Sequence, residues 1–365
     1  MSDRIEHLAD RWAQFRQQWY ATPVLLVAIF LFLVILPWIR NYALFGFAPI
    51  GWLSVNILVI TLIWATTAQA WNIMSGYTGQ FSFGHAAFFG IGAYATIILI
   101  REFALSPWIG MLVGSVIAAG YGLLIGVLTF RYDLEGHYFA LATLAFAVLL
   151  RFLFNNIAEL GSASGFFKPL PRTYADGPGL AAFQFLEPIS YYYVILAFLV
   201  IISAISWVVH DSKLGLHLFA IREDEDAAAA VGVPTYQYKL LGISLSAFLT
   251  AWPGAFWAMY FDTIRPDTVF DLLVNVEILL PAIVGGVGTV LGPIVGSFVV
   301  TPVSELARQS FELEGLNTII YGFILILIVL YSPRGVVSWP GRARELLFGA
   351  SERREEEGVT PDGDD

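Results

Sequence analysis

The chain alternates long apolar stretches with short polar connections. A helix needs about 20 apolar residues to cross the hydrocarbon core of a bilayer, where its backbone groups must be hydrogen-bonded internally. Residues 79–100 are apolar apart from His85, and the stretch at 136–150 continues past Arg151 into residues 152–157. The stretches without Asp, Glu, Lys or Arg are residues 21–39, 50–75, 103–130, 190–209, 240–261, 278–304 and 315–333. The pattern predicts an all-α, polytopic transmembrane bundle with about 8–10 membrane segments.

Two glycine-rich segments interrupt this pattern, residues 76–85 (continuing to Gly90 and Gly92) in the first half of the chain and residues 285–296 in the second. Their weak internal likeness resembles the paired repeats of transporters, whose interrupted segments meet at the substrate path. The density of Gly and Pro in residues 278–304 predicts a broken or re-entrant helix, or two short ones. The candidate translocation residues are Gly76, Tyr77, Gly79, Gln80, Ser82, Gly84, His85, Gly285, Gly286, Gly288 and Gly292.

The same residues have an alternative interpretation as packing features. Small residues allow helices to approach closely, so residues 278–304 could be a lipid-exposed span with small packing faces. His85 could be a buried imidazole that is bonded to a backbone carbonyl and positions the turn before it. The sequence leaves these alternatives open.

The distribution of Lys and Arg predicts the orientation. Basic residues occur in residues 1–20, in the turn at Arg131, in residues 211–239 and after residue 334. Basic residues near spans favour the cytoplasmic side. We therefore expect a multi-pass protein of the cell membrane with cytoplasmic termini. The predicted parts are a cytoplasmic segment 1–20, a transmembrane domain 21–334 with an external loop 161–189 and a cytoplasmic loop 211–239, and an acidic tail 335–365 that is disordered at its end.

Composition supports the membrane assignment and narrows the chemistry. Of 365 residues, 58% are hydrophobic and 13% are charged, whereas soluble domains carry roughly 25% charged residues. There are no cysteines, and the net charge of −10 is accompanied by no basic patch for nucleic acid. The sequence contains no phosphate-binding Gly-x-x-x-x-Gly-Lys-Ser/Thr loop, no Ser/His/Asp arrangement and no metal-ligand spacing. We expect no catalytic residue, no metal and no cofactor bound by this chain.

Residues 221–234 are predicted to form one short helix in the cytoplasmic loop. Acidic residues occupy its first turn, alanines follow, Gly232 suits the C-terminal cap and Pro234 prevents continuation. This short helix has too little apolar surface to be stabilised by packing alone, which suggests that it docks on a partner. A solvated connector is the alternative.

Residues Asp226-Ala227-Ala228 and Gly232 resemble the Glu-Ala-Ala-x-x-x-Gly signature of ABC-importer permeases, with Asp at the acidic position and no Leu-Pro pair downstream. Four larger blocks, residues 72–94, 136–145, 220–225 and 285–293, closely resemble the branched-chain amino acid permeases of the LivM type, in the family's order. In the external loop the family's Thr-Gly-Gly-x-x-Gly-Leu segment is only approximated, by residues 161–167.

The resemblance implies a permease subunit that forms half of a path for branched-chain or other neutral amino acids. It implies a homologous second permease, two ABC ATPase subunits that bind ATP and Mg, an extracytoplasmic solute-binding protein and surrounding lipid. The residues expected to couple to the ATPases are Arg222, Glu223, Asp224, Glu225, Asp226, Ala227, Ala228 and Gly232.

Three alternatives stay open. The solute could be urea or a short amide, which related permeases handle. A self-sufficient secondary transporter is the rival class, although the predicted spans hold no clear buried carboxylate for an ion or proton site. The charges Asp262, Arg265, Asp267, Asp271 and Glu277, near the outer ends of two spans, are either docking charges for the binding protein or ordinary solvated residues.

Overall fold

The computed structural model describes residues 21–39, 54–168 and 179–310, together with residues 322, 335 and 336. The predicted segment 1–20, the span at 315–333 and the acidic tail, apart from these single residues, lie outside the described residues. Twelve α-helices are described: α1 (Ala21–Ile39), α2 (Val55–Trp71), α3 (His85–Phe103), α4 (Pro107–Phe130), α5 (Gly136–Asn156), α6 (Pro188–His210), α7 (Lys213–Glu223), α8 (Glu225–Ala230), α9 (Thr235–Tyr260), α10 (Pro266–Val269), α11 (Leu272–Gly285) and α12 (Gly292–Ser310).

The transmembrane bundle predicted from the apolar stretches is confirmed. In the described part of the chain, 7 helical segments are long and apolar enough to cross a membrane, and Pro23–Ile39 and Gly292–Leu306 are shorter apolar helices. The largest difference is at residues 79–100, where α3 begins only at His85 because the preceding glycine-rich residues are not helical. The chain is not purely α-helical, since the two-residue strands β1 (Phe166–Phe167) and β2 (Thr263–Ile264) form an antiparallel pair.

Residues 278–304 form two helices, as the density of helix breakers predicts. Helix α11 ends at Gly285, and α12 begins at Gly292 and packs back against it. A Cβ atom at Gly296 would lie 1.8 Å from the carbonyl oxygen of Pro281. The glycines in this segment therefore have two effects: they interrupt the helix, and they allow α11 and α12 to pack closely.

Helix α2 lies at the centre of the bundle and is almost wholly buried, in contact with α6, α9 and α12. Helix α9 packs along α3 and α4 on the other side of the core. Helix α5 is the least covered long helix, with only Phe139, Thr143 and Ala147 buried. This arrangement brings the C-terminal end of α2, the α4–α5 turn and helices α7 and α8 to one end of the bundle.

The opposite end is closed by the loop predicted to be external. The described parts of this loop are held by contacts within the chain. Strand β1 pairs with β2, and the Trp108 indole donates to the Leu180 carbonyl at 2.8 Å. The buried ring of Phe183 stacks on Trp108 with centroids 4.7 Å apart. Aromatic burial is the reason this loop is tied down.

Candidate functional site

The first glycine-rich segment begins where α2 changes its winding. Residues Asn72–Gly76 form a π-helical turn, and the amide of Tyr77 donates to the carbonyl of Asn72. A π turn inserts an extra residue into the helix and occurs frequently at functional sites. The chain then runs without regular structure to His85, held by a 2.9 Å bond from the Trp71 indole to the Ser82 carbonyl.

Asn72 joins this segment to the break between α11 and α12. Its Oδ1 accepts from the amide of Gly288 at 2.8 Å, and its Nδ2 donates to the carbonyl of Thr289 at 3.0 Å. A Cβ atom at Gly76 would lie 2.0 Å from Asn72 Oδ1 and 2.8 Å from the Gly288 amide nitrogen. Only glycine therefore permits this approach. The two interrupted segments meet, as their internal likeness predicts.

Thr289 and Gly288 shape the second break. The Thr289 hydroxyl donates to the Gly286 carbonyl at 2.8 Å and accepts from the amide of Gly292 at 3.0 Å, which caps the start of α12. Gly288 has φ of +83°, a conformation that L side chains rarely adopt. Local side-chain bonds thus replace the helical bonds lost at the break.

Most of the candidate translocation residues are buried inside this one chain. Tyr77, Ser82 and His85 are buried, and the Tyr77 hydroxyl is 2.7 Å from Ser206 Oγ. Gln80 is also buried, with no hydrogen-bond partner for its Oε1. Protein burial is one of the two conditions under which broken backbone occurs at membrane depth. That these residues line the path stays a prediction.

His85 lies between two serine hydroxyls rather than against a backbone carbonyl. Ser246 donates its proton to the Ala70 carbonyl at 2.7 Å, so its oxygen accepts from His85 Nε2 at 2.8 Å. Ser82 accepts from the Gly84 amide at 3.2 Å, and its hydroxyl oxygen lies 3.0 Å from Nδ1. The imidazole therefore connects the turn before α3 to α9. This agrees with a positioning role, through different partners from the expected one.

The segment predicted to couple to the ATPases contains parts of two helices, α7 and α8, not the single helix predicted over residues 221–234. The Asp224 side chain accepts from the amide of Ala227 at 2.9 Å and caps α8, while its own backbone is extended. Aspartate is more favourable at a helix N-cap than in a helix interior, so one helix ends before Asp224 and the next begins after it. Arg222 and Glu223 consequently end α7, and Asp226, Ala227 and Ala228 lie in α8. Gly232 follows the C-terminal end of α8, as predicted.

The outer surface of α8 is uncovered. Ala228 is its only buried residue among the described side chains, whereas Ala227, Ala229 and Ala230 are exposed. Val231, directly after the helix, is 81% exposed. A short helix with an exposed apolar surface fits docking on a partner better than a solvated connector.

Helix α8 is fixed to the bundle by Lys239, whose role the sequence did not reveal. The Lys239 side chain is 3% exposed, forms an ion pair with Glu225 and lies 3.8 Å from Glu135 in the α4–α5 turn. Its ammonium also lies 4.9 Å from the centroid of the Phe130 ring. Burial raises the pKa of the Glu135 carboxyl, and the nearby Glu225 carboxylate raises it further, whereas the positive charge of Lys239 acts to lower it. The available signal was a lysine at the very start of an apolar span.

Within the described residues, Arg222 forms no ion pair with an acid. Its Nη1 donates to the Gly76 carbonyl at 2.7 Å. A Cβ atom at Gly288 would lie 2.1 Å from the same nitrogen, and one at Gly79 would lie 3.0 Å from Arg222 Cγ. Helix α7 therefore contacts both glycine-rich segments through one side chain.

At the opposite end, the candidate docking charges Asp262, Asp267 and Asp271 form ion pairs with other described residues of the chain. Arg151 binds Asp267 at 2.7 Å and Asp271 at 2.8 Å, and Lys168 lies 3.2 Å from Asp262. The Arg151 pairs tie α5 to the start of α10 and α11, and the Lys168 pair ties the loop after α5 to the connection between α9 and β2. The sequence had not suggested Arg151 as their partner.

Comparison with known proteins identifies relatives over most of this architecture. A family model described as branched-chain amino acid transport system / permease component matches residues 53–329. The high-affinity branched-chain amino acid transport system permease protein LivM of Escherichia coli is 24% identical over 82% of this chain and 73% of its own length. A probable branched-chain amino acid transport permease protein LivH of Methanocaldococcus jannaschii is 22% identical over 73% of this chain and 86% of its own.

Another match, which covers less of the chain, is named for a different solute. The xylose/arabinose import permease protein XylH of Sulfolobus acidocaldarius is 25% identical over 62% of this chain and 62% of its own length. No solved structure matches the chain.

Proposed function

The chain belongs to the family of branched-chain amino acid transport permeases, and from this premise we propose that it forms half of an import path for branched-chain or other neutral amino acids. It is a multi-pass membrane protein and a transport component. A homologous second permease supplies the other half. Two ABC ATPase subunits that bind ATP and Mg drive the cycle, and an extracytoplasmic solute-binding protein delivers the solute.

One observation carries the proposal: the segment α7–α8 combines an uncovered docking helix with a direct contact to both broken segments. The exposed surface of α8 is available to an ATPase, and Arg222 on α7 binds the Gly76 carbonyl beside Gly288. Because α8 is also paired to Lys239 at the start of α9, movement of the ATPases would reach the bundle at two points. This end is then cytoplasmic, and so are both termini.

Helix α5 is the surface proposed for the second permease. It is the least covered long helix, and Thr143 on its buried side accepts from the amide of Phe83 at 3.1 Å. A Cβ atom at Gly84 would lie 2.7 Å from the Thr143 carbonyl oxygen. The first glycine-rich segment therefore lies directly behind this helix. On this side, a path between the two permeases would be shaped by α5 and by residues 76–85 packed behind it.

The test is reconstitution of the chain in proteoliposomes with the second permease, the ATPases and the binding protein, followed by uptake of labelled leucine. We expect uptake that requires ATP. Substituting Ala229→Arg on the exposed surface of α8 should release the ATPases in pull-down, whereas Ala158→Arg at the opposite end should retain them.

Three results would overturn parts of the proposal. Leucine uptake without any ATPase would identify a secondary transporter. ATP-dependent uptake of urea or acetamide instead of leucine would correct the solute. Retention of the ATPases by the Ala229→Arg variant would remove α8 from the coupling interface.

A further inference from the structure

Arg222 occupies a position from which one side chain can hold three parts of the chain together. It is the second-to-last residue of α7, two residues before the helix break at Asp224. Its guanidinium donates to the carbonyl of Gly76, the last residue of the π turn that ends α2. The same group lies against the backbone of Gly288 in the second break.

The charge of Arg222 suits this position. The C-terminal end of a helix carries unsatisfied carbonyl groups and a partial negative charge, so a cation there is stabilising. A guanidinium adds a charge-assisted hydrogen bond, which is stronger than a neutral one. Among the described contacts of Arg222 there is no carboxylate, which distinguishes it from Lys239, Arg151 and Lys168.

The Arg222 side chain fits here because the backbone positions next to it, Gly79 and Gly288, carry no side chain. Both Gly79 and Gly288 have positive φ, +74° and +83°, and a methyl group at Gly288 would collide with Nη1. A glycine in each broken segment thus permits one arginine to contact both. Asn72 joins the same two segments independently, so Arg222 adds the connection to α7.

We propose that Arg222 is a positioning residue for transport, which fastens both broken segments to α7 so that displacement of α8 is passed to them together. The proposal rests on the proposed function. The sequence had placed Arg222 among the residues expected to couple to the ATPases. In this proposal Arg222 contacts the bundle instead, and the surface that faces the ATPases is α8. The break at Asp224 then separates the docking helix from the transmitting one.

The first experiment does not depend on transport. The full chain in lipid nanodiscs is compared by hydrogen–deuterium exchange with its Arg222→Ala variant. We expect exchange of the peptides that cover residues 72–84 and 285–292 to rise roughly tenfold, because loss of a charge-assisted hydrogen bond makes local opening easier. Arg131→Ala, which removes an exposed arginine at the same end, should leave both peptides unchanged. Equal exchange in Arg222→Ala and the unsubstituted chain would overturn the proposal.

The second experiment separates positioning from general stability in the reconstituted importer, with leucine as the solute. We expect Arg222→Ala to keep ATP hydrolysis but to lower leucine imported per ATP at least fivefold, with Arg222→Lys in between because its charge remains without the planar fork. A parallel fall in hydrolysis and uptake, or an unchanged ratio, would refute the positioning role. Failure of the unsubstituted complex to import leucine would instead refute the proposed function, and the exchange measurement would still decide whether Arg222 fastens the segments.

Discussion

The ion pair between Glu225 and Lys239 offers the sharpest test of how α8 is held. Replacing Glu225 with Gln removes the carboxylate but keeps the shape of the side chain. The Lys239 ammonium, on a side chain that is 3% exposed, then has a neutral amide oxygen in place of the carboxylate, and its other partners among the described residues are Glu135 at 3.8 Å and the face of Phe130. Water cannot easily replace the lost partner, since so little of the lysine is accessible. The substitution should therefore leave a poorly compensated buried charge.

The magnitude follows from the burial of the two partners. Removing one partner of a buried pair costs about 3–5 kcal/mol, whereas an exposed pair is worth roughly 0–1 kcal/mol. Glu225 is 18% exposed and Glu135, which is 52% exposed, remains as a weaker partner. We therefore expect a cost of about 2–3 kcal/mol, below the fully buried range. Because each 1.4 kcal/mol is a factor of ten, α8 should undock roughly 30- to 150-fold more often.

The assay is hydrogen–deuterium exchange over residues 224–233 in the full chain, with thermal unfolding measured in parallel. Asp226→Asn is the matched control, because Asp226 is the exposed acid in the same helical turn and forms no ion pair with a described residue. The double substitution Glu225→Gln with Lys239→Met should recover much of the loss, since no unpaired buried charge remains. If Glu225→Gln and Asp226→Asn behave alike, the reasoning about Lys239 is wrong.

Three further predictions concern other parts of the structure. Asn72→Ala should lower the free energy of unfolding by about 2–3 kcal/mol, measured by thermal unfolding, because it removes two hydrogen bonds and leaves the buried Gly288 amide unpaired. A change as small as that of Asn156→Ala, whose exposed side chain donates to the Phe152 carbonyl within α5, would contradict it. The pKa of Glu135 is raised, so the folded state favours its protonated form; the contribution of this carboxyl to stability is complete at low pH and is lost as pH rises through the raised pKa. Glu135→Gln should remove this pH dependence from melting curves recorded above the ordinary pKa of 4.5. An unchanged dependence of the melting temperature on pH would refute the prediction. Arg151→Ala should cost only about 1 kcal/mol in stability, since Asp267 is half exposed; a larger loss in binding-protein association than in stability would show that the paired acids also serve docking.

Particular residues show why some of the site could be predicted and some could not. The glycine-rich segments were recognisable because helix breakers act locally, and their likeness indicated that they would meet. Asn72, which makes the connection, lies in an apolar stretch and gives no local signal, since its partners Gly288 and Thr289 are more than 200 residues away. The break at Asp224 was missed because its N-cap tendency competed with a run of good helix formers, and the local sequence does not decide between them.

The sequence by itself determined the class of the protein, its membrane-spanning helices and the places where those helices break. These properties depend on transfer of side chains to lipid and on the conformations open to Gly and Pro, both of which are set residue by residue. Only the tertiary structure decided which residues act together. Lys239 became the buried partner of Glu225, and Arg222 became a contact of Gly76 and Gly288, because packing brought distant segments within hydrogen-bond distance. Charge pairing and burial are properties of that arrangement, so the pattern along the chain could not supply them.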